Sequence, residues 1–282
     1  MFENTDDIIS MAFNGDLCAT AEIGPKPVIS LWDSHDLKVY GNIAGVLLKG
    51  VGRLAFSNNG KFLAALSIQV PPMLVVFDVE KWKNGEHRRD GQNDPPCVIC
   101  KIEGPSDLIY DMTWNKFDDK VVIGTKKDVH WVDIKRKVTD KGSGWELEDK
   151  CSTLSLGLID DDIFGCTIKG TIVRWKSVKF EKEIQAHKGP IYCTADWKNT
   201  NKVLTGGADG WVRIWDNNLK LIKGIDCTVL HSVCHKIKAL SVHPTEEKFL
   251  AGTRGGEIFE VNIKDSKPKV ILNCHYNHEL WG

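Results

Sequence analysis

Residues 185–216 read QAHKGPIYCTADWKNTNKVLTGGADGWVRIWD. Three runs rich in β-branched and aromatic residues stand out, at 191–197, 202–207 and 211–216, separated by KNTN and ADG. Short runs of this kind, bounded by Asn, Asp and Gly, are strands joined by tight turns. Four polar or aromatic residues complete the pattern: His187 ahead of the first strand, Thr205 in the second, Asp209 in the following turn and Trp215 in the third. These four are either members of one buried hydrogen-bonded network, which rigidifies a sheet only if each member finds a partner, or unrelated polar residues near a surface.

Working outward, the same arrangement recurs. Strands with an aromatic or apolar residue at their end or just before a final Asp close each unit at 28–33, 73–78, 128–133, 171–175, 211–216 and 257–261. Each follows a small-residue run (17–23, 61–68, 120–125, 163–168, 202–207, 248–253), and each of those follows another short run (8–13, 51–56, 108–114, 154–159, 191–197, 237–242). Outer strands are predicted at LKVYGNI (37–43), FEKEIQA (180–186) and KVILNC (269–274). Turn signals lie between the strands: Asn58-Asn59-Gly60, Asp118-Asp119, Lys169-Gly170, Asp209-Gly210 and Gly255-Gly256. Four short strands repeating at roughly 40–45 residues is the WD-repeat β-propeller pattern. The fold class expected is therefore all-β, with about six blades over residues 1–274 that are either an incomplete seven-bladed ring or a smaller closed one. One blade cannot bury both faces of its sheet, so blades must stack on their neighbours. The pattern is degenerate elsewhere: Trp32 and Asp33 keep part of it in the first unit, whereas the last has Phe259 and Gly255 in place of the ring and the aspartate.

Composition narrows the function classes. Lys and Arg number 37 against 38 Asp and Glu, a net charge of -1, which gives no global attraction to nucleic acid or an anionic membrane. The opening MFENTDDIIS lacks the basic flank and apolar run of a secretory signal, and no stretch is long and apolar enough to span a bilayer. The nine cysteines are dispersed and set mostly in apolar runs, a pattern of reduced thiols. A cytoplasmic protein is expected.

The stretch FLAGTRGGEIFEVNIKDSKPKVILNCHYNHELWG (249–282) resembles the echinoderm microtubule-associated protein-like family, at the join between its two fused propellers. There an AGT…EIFEV strand pair leads into an ELWG run; here that run is Glu279-Leu280-Trp281-Gly282, and Cys274 replaces a glycine before His275. The resemblance extends through IGPKPVISLWDSHDLK (23–38), VGRLAFSNNGKFLAAL (51–66), GTIVRWKS (170–177) and 185–216. It implies blades two to seven of a first propeller, then, over 275–282, the opening strand of a following propeller or blade. In the family a hydrophobic motif supplies the first blade and a second propeller follows; the resemblance thus implies a piece of a longer protein. It also implies binding to tubulin and microtubules, with a cytoskeletal location at microtubules, spindle or cilium.

Residue chemistry points to binding rather than catalysis. HExxH, a GxxxxGK[ST] loop and GxGxxG before a helix are all missing from the sequence, so neither a catalytic residue nor a cofactor is expected. Cys97 and Cys100 have the CxxC interval without a second pair, which reads as a strand carrying two thiols. The clusters His231/Cys234/His235 and His275/His278 lie in connections where polarity is expected anyway, and Asp160-Asp161-Asp162 reads as an acidic turn, so no metal is assigned. Two charged segments, 81–96 and 135–150, are expected to project as loops. Their Lys81, Lys83, Arg88, Arg89, Lys135, Arg136, Lys137 and Lys141 are candidate contacts for an acidic protein surface, or else solvated loop charges. Trp211 follows the turn glycine while Trp215 already supplies the core ring; it is either a contact anchor or a packing residue.

Overall fold

In a computed structural model, described over residues 7–88, 91, 93–145, 151–197, 200–229, 234–245 and 247–273, the protein is an all-β propeller chain of six four-stranded blades. Blade 1 is β1–β4 (Ile8–Asn14, Leu17–Glu22, Val28–Asp33, Val39–Ala44) and blade 2 is β5–β8 (Val51–Phe56, Phe62–Ser67, Met73–Asp78, Val98–Glu103). Blade 3 is β9–β12 (Ile109–Trp114, Lys120–Thr125, Val129–Asp133, Val138–Lys141) and blade 4 is β13–β16 (Thr153–Ile159, Asp162–Thr167, Thr171–Lys176, Lys179–Gln185). Blade 5 is β17–β20 (Ile191–Trp197, Lys202–Gly207, Trp211–Trp215, Leu221–Asp226) and blade 6 is β21–β24 (Ile237–Val242, Lys248–Thr253, Glu257–Asn262, Pro268–Asn273). Neighbours in the sheet are neighbours in sequence, antiparallel throughout the pairs with a resolved register. Consecutive strands pair through turns of a few residues, which is why local turn chemistry alone can set the order.

The chain divides into two compact units, the division running through blade 3: Met1–Leu108, Met112–Ile123 and His130–Asp140 form one, and Ile109–Asp111, Gly124–Val129 and Lys141–Gly282 the other. In the first, blades 1 and 2 bury Ala19, Leu31, Leu63, Val75, Phe77 and Trp82 in one cluster. In the second, blades 5 and 6 bury Leu204, Ile214, Ile237, Phe249 and Phe259, and blades 4 and 5 bury Phe164, Ile172, Ile191 and Trp215. Second strands are buried along nearly their whole length. Their runs of small and aliphatic residues follow from that, since both faces pack.

Two expectations for the charged segments need correction. Residues 81–96 do not simply project: Val79–Lys81 and Trp82–Glu86 form helical turns, capped by the Asp78 carboxylate accepting from Lys81 N at 3.0 Å. Val79 and Trp82, three residues apart, share one face and are buried; the Trp82 indole packs edge-on against Phe77 and donates to Gly41 O at 3.3 Å. Within 135–150, Val138–Lys141 is β12, the outer strand of blade 3, and Trp145 meets Trp175 edge-on, the ring planes at 87°. β12, exposed at three of its four residues, lacks the apolar alternation that marks inner strands, so it reads as loop. The expected opening strand at 275–282 lies outside the described residues.

Candidate functional site

Blade 5 carries the best-defined polar constellation. β17, β18 and β19 pair with Thr194 opposite Thr205 and Thr205 opposite Arg213, placing the hydroxyl at the middle of the sheet. His187, 2% exposed, lies with Nδ1 2.9 Å from Asp209 Oδ1 and Nε2 2.8 Å from Thr205 Oγ1. The Trp215 indole donates to the same Thr205 Oγ1 at 2.8 Å. In one arrangement Thr205 O–H donates to Nε2 and Nδ1–H donates to Asp209; Arg213 Nη1 also lies 2.6 Å from Nδ1. Asp209 Oδ2 also accepts from Arg213 Nη1 at 2.8 Å and Lys188 N at 3.2 Å, and Oδ1 from Trp211 N at 3.2 Å.

Burial alone would raise the Asp209 carboxyl, but the hydrogen bond and charge of His187 and the bond from Arg213 outweigh it, holding the group well below the usual carboxylate range. The order Thr–His–Asp has the residue types of a charge relay. Here the hydroxyl is fully buried and bonded to both an indole and an imidazole, so its geometry holds the sheet and offers no nucleophile to a substrate.

The network has a steric condition that the sequence pattern did not reveal. A Cβ on Gly207 would stand 2.3 Å from His187 Nδ1 and 2.7 Å from Asp209 Oδ1. At the equivalent last position of the second strand, four of the five other blades carry a hydroxyl, Ser67, Thr125, Thr167 and Thr253, and blade 1 carries Glu22. Ser67 Oγ accepts from Met73 N at 2.9 Å, Thr125 donates to Asp128 O at 2.9 Å, Thr167 and Thr171 hydroxyls meet at 2.8 Å, and Thr253 donates to Glu257. Those blades brace the turn locally; blade 5 leaves the space to an imidazole reaching in from the preceding connection.

The remaining candidates are spread out. Trp211 is half-buried, with the Arg213 guanidinium 5.2 Å from its ring centre and its ring edge over Gly224 of the same blade, so it packs against its own outer strand. In the first unit Lys81, Lys83 and Arg88 are exposed, and Lys83 Nζ sits 5.2 Å over the Tyr40 ring; Arg89 lies outside the described residues. Lys135, Arg136 and Lys137 cross the turn after β11, where Asp133 accepts from Lys135 N and Arg136 N at 3.0 and 2.8 Å and from Arg136 Nε at 2.8 Å. The Arg136 amide and side chain hold the Asp133 carboxyl down at about 2. Lys135 and Lys137 project as exposed ammonium groups. Lys141, in the second unit, is a strand residue paired to Asp128 at 2.8 Å.

Cys97 and Cys100 are buried, and Val98 opens β8; burial pushes the Cys97 thiol up to about 12. Cys234 and His235 are half-buried, while His231, His275 and His278 lie outside the described residues. Among the described residues no group of three or more His, Cys, Asp or Glu converges as a metal site, and no helix is long and apolar enough to cross a membrane.

Sequence reading missed several polar links. Arg174, between Val173 and Trp175 in β15, donates through Nε to Asp162 Oδ2 at 2.9 Å and through Nη1 to Asn217 O at 2.6 Å, tying blade 4 to the turn of blade 5. Asp162 is thus an ion-pair partner inside β14. A buried Arg in TIVRWK was the available signal. Between inner strands, Asp111 Oδ2 accepts from Ser155 Oγ at 3.1 Å and Leu156 N at 2.7 Å, and Thr194 donates to Leu156 O at 3.0 Å.

Known proteins place this geometry in context. The family model described as WD domain, G-beta repeat matches residues 178–216, from β16 through β19. The chain is 25% identical, over 99% of its length and 37% of the relative's, to "Ciliary WD repeat-containing protein ctxp80" of Euplotoides octocarinatus. It is 22% identical, over 91% of its length and 26% of the relative's, to "Echinoderm microtubule-associated protein-like 4" of Mus musculus, with the same figures for the Homo sapiens protein. The chain therefore has a WD repeat and distant relatives in both groups, and spans between about a quarter and two fifths of their lengths.

Proposed function

We propose that this chain is a non-enzymatic protein-binding scaffold and that tubulin, assembled as microtubules, is its partner. The observation that carries the reading is the alignment of 91% of the chain with relatives named for microtubule association. The blade 5 constellation supports it from the chemical side, because its titratable groups are consumed in bracing the sheet. Contact would come from propeller loops, with the exposed Lys135 and Lys137 of the blade 3 turn attracting an acidic surface over a Debye length of about 8 Å at physiological salt. The location that follows is cytoplasmic and cytoskeletal, at microtubules, spindle or cilium.

A second reading is a scaffold for a non-tubulin protein in a ciliary or signalling assembly; the 99% alignment with a ciliary WD-repeat protein favours it. Co-sedimentation of the purified protein with microtubules at low and high ionic strength separates the two. Tubulin binding predicts co-pelleting that weakens as salt rises, and weakens severalfold in Lys135→Glu/Lys137→Glu. Failure to pellet at low salt, with a stable non-tubulin complex recovered from ciliary extract, supports the second reading and rejects the first.

A further inference from the structure

The inner strands share an irregularity whose occupant differs from blade to blade. In blades 1, 2, 4, 5 and 6 the pairing slips just after the opening residue, between Ile8 and Ser10, Val51 and Arg53, Thr153 and Ser155, Ile191 and Cys193, and Ile237 and Ala239. A bulge of this kind re-aims the side chain of the extra residue. In blades 4, 5 and 6, all of the second unit, those residues are Leu154, Tyr192 and Lys238, each half-buried. Their strands are tied side by side, Thr194 donating to Leu156 O at 3.0 Å and the Cys193 thiol to Ile237 O at 3.8 Å. An apolar, an aromatic and a cationic group therefore follow one another across three adjacent strands. The Lys238 ammonium stands 3.6 Å from the centre of the Tyr192 ring, a cation–π contact that holds the long side chain in place.

More cations continue from this row along one rim of blades 5 and 6. Lys188 N donates to Asp209 Oδ2 at 3.2 Å and Ala208 N to Pro190 O at 2.8 Å, so the entry to blade 5 lies against its own β18–β19 turn. That turn also meets the entry to blade 6, where a Cβ on Gly210 would stand 3.1 Å from His235 Cβ. Arg254 N then donates to Lys236 O at 2.8 Å. Lys188 is exposed, and Lys236 and Arg254 are half-buried. Three carboxylates on this rim are engaged from within their blades: Asp209 by His187 and Arg213, Asp226 by the amide and hydroxyl of Thr228, and Glu257 by the Thr253 hydroxyl. The rim is thus locally cationic in a chain whose net charge is -1.

We propose that this rim is a docking seat for an acidic, extended peptide segment, with carboxylates on Lys188, Lys236, Lys238 and Arg254 and an apolar side chain against Leu154 and Tyr192. Two observations favour a peptide over a nucleic acid. The Tyr192 ring face turned to Lys238 is taken by an ammonium group, which leaves no platform there for a base to stack on. Leu154 gives the row an apolar end, which matches a side chain and has nothing to offer a phosphate backbone. Because the ring already holds Lys238, that contact has less side-chain freedom to lose when the partner arrives. The seat fits any partner that carries such a segment, and its test does not pass through microtubules.

The test is fluorescence anisotropy of the 282-residue chain with a labelled twelve-residue peptide of glutamates around a central leucine, run beside an oligouridine of equal length. Saturable peptide binding that weakens as salt rises is expected, and Lys188→Glu/Lys236→Glu should raise Kd about tenfold or more. Lys26→Glu/Lys61→Glu makes the same charge change at exposed lysines of the first unit and should leave Kd within about twofold. Tyr192→Ala should raise Kd about threefold or more, whereas Tyr192→Phe, which keeps the ring, should bind as the wild type does. Should Tyr192→Ala fail to fold, Lys238→Gln reports on the same contact with the ring intact. The inference is overturned by absence of peptide binding at low salt, by equal losses in the two charge-reversed pairs, by an unchanged Kd in folded Tyr192→Ala or Lys238→Gln, or by preference for the oligouridine. Microtubule co-sedimentation reads a different property, so either result can fail while the other stands.

Discussion

Gly207→Ala is the most informative single perturbation of blade 5. Its backbone is ordinary extended strand, so the methyl group brings no torsional strain; only the neighbours object. The new carbon would be 2.3 Å from His187 Nδ1, 2.7 Å from Asp209 Oδ1 and 2.8 Å from His187 Cγ, against a comfortable separation of about 3.5 Å or more. The imidazole has to retreat by about 1 Å, and its other nitrogen is bonded to Thr205, so both hydrogen bonds break. Two buried bonds are worth about 2 kcal/mol net, and leaving buried polar groups unpaired costs about 1–3 kcal/mol more. Relief of glycine's chain entropy returns about 0.5–1 kcal/mol. The net loss is roughly 2–4 kcal/mol, a fall in Tm of about 4–8 °C at roughly 2 °C per kcal/mol for a chain of this size.

The mechanism is tested by a double-mutant cycle, with unfolding followed in urea by tryptophan fluorescence. With His187→Ala in place, only Asp209 Oδ1, 2.7 Å from the added carbon, remains in the way; released from the imidazole it can turn aside, so the methyl should be close to neutral. The coupling between the two sites is then roughly 2–4 kcal/mol. If the two changes add to within about 0.5 kcal/mol, the imidazole does not need the glycine and the steric account of blade 5 is wrong.

Three further outcomes follow from the same structure. Because Asp209 is held below its unfolded value of about 3.9, its stabilising contribution is complete above that pH and is lost as pH falls through the folded-state value; the stability gap between the wild type and Asp209→Asn, measured by urea titration, should therefore narrow only below about pH 4. Trp82→Ala removes a fully buried indole from the blade 1–blade 2 cluster and should cost about 3–5 kcal/mol, whereas a change under 0.5 kcal/mol would return the segment to the status of a solvated loop. Burial pushes the thiols of Cys18, Cys97 and Cys227 to about 11, 12 and 12, so iodoacetamide at pH 8 should leave all three unmodified in the native protein and alkylate them on unfolding, as peptide mapping would show.

The parts of this fold that are legible in sequence are those whose physics is local. First, second and third strands of each blade alternate or run apolar because they face buried neighbours, so IYCTADW and KVLTGG announce β17 and β18 directly. Outer strands lack that constraint: VTDK of β12 has three exposed residues in four, and nothing in it differs from a turn. Trp82 was hidden for the opposite reason, one apolar residue anchoring a segment whose polar composition describes only its solvent face. Charge alone likewise could not separate Lys141, already committed to Asp128, from Lys135 and Lys137, which project.

Blade 5 shows how the same position can satisfy two incompatible solutions. A hydroxyl at the end of the second strand braces its turn from within the blade, as Thr125, Thr167 and Thr253 do, and needs nothing from elsewhere in the chain. An imidazole at that place needs Gly207 beside it, Thr205 two residues earlier, Asp209 in the turn and Trp215 on the next strand, all at once. Any one of these residues without the others leaves a buried donor or acceptor unpaired, at about 1–3 kcal/mol. Four blades carry the single hydroxyl instead, and blade 1 keeps Thr20 and Trp32 of the set with Glu22 at the strand end. Because those four residues must meet at one point, one complete quartet in 282 residues could identify the repeat, while the blades lacking it had to be found from strand spacing.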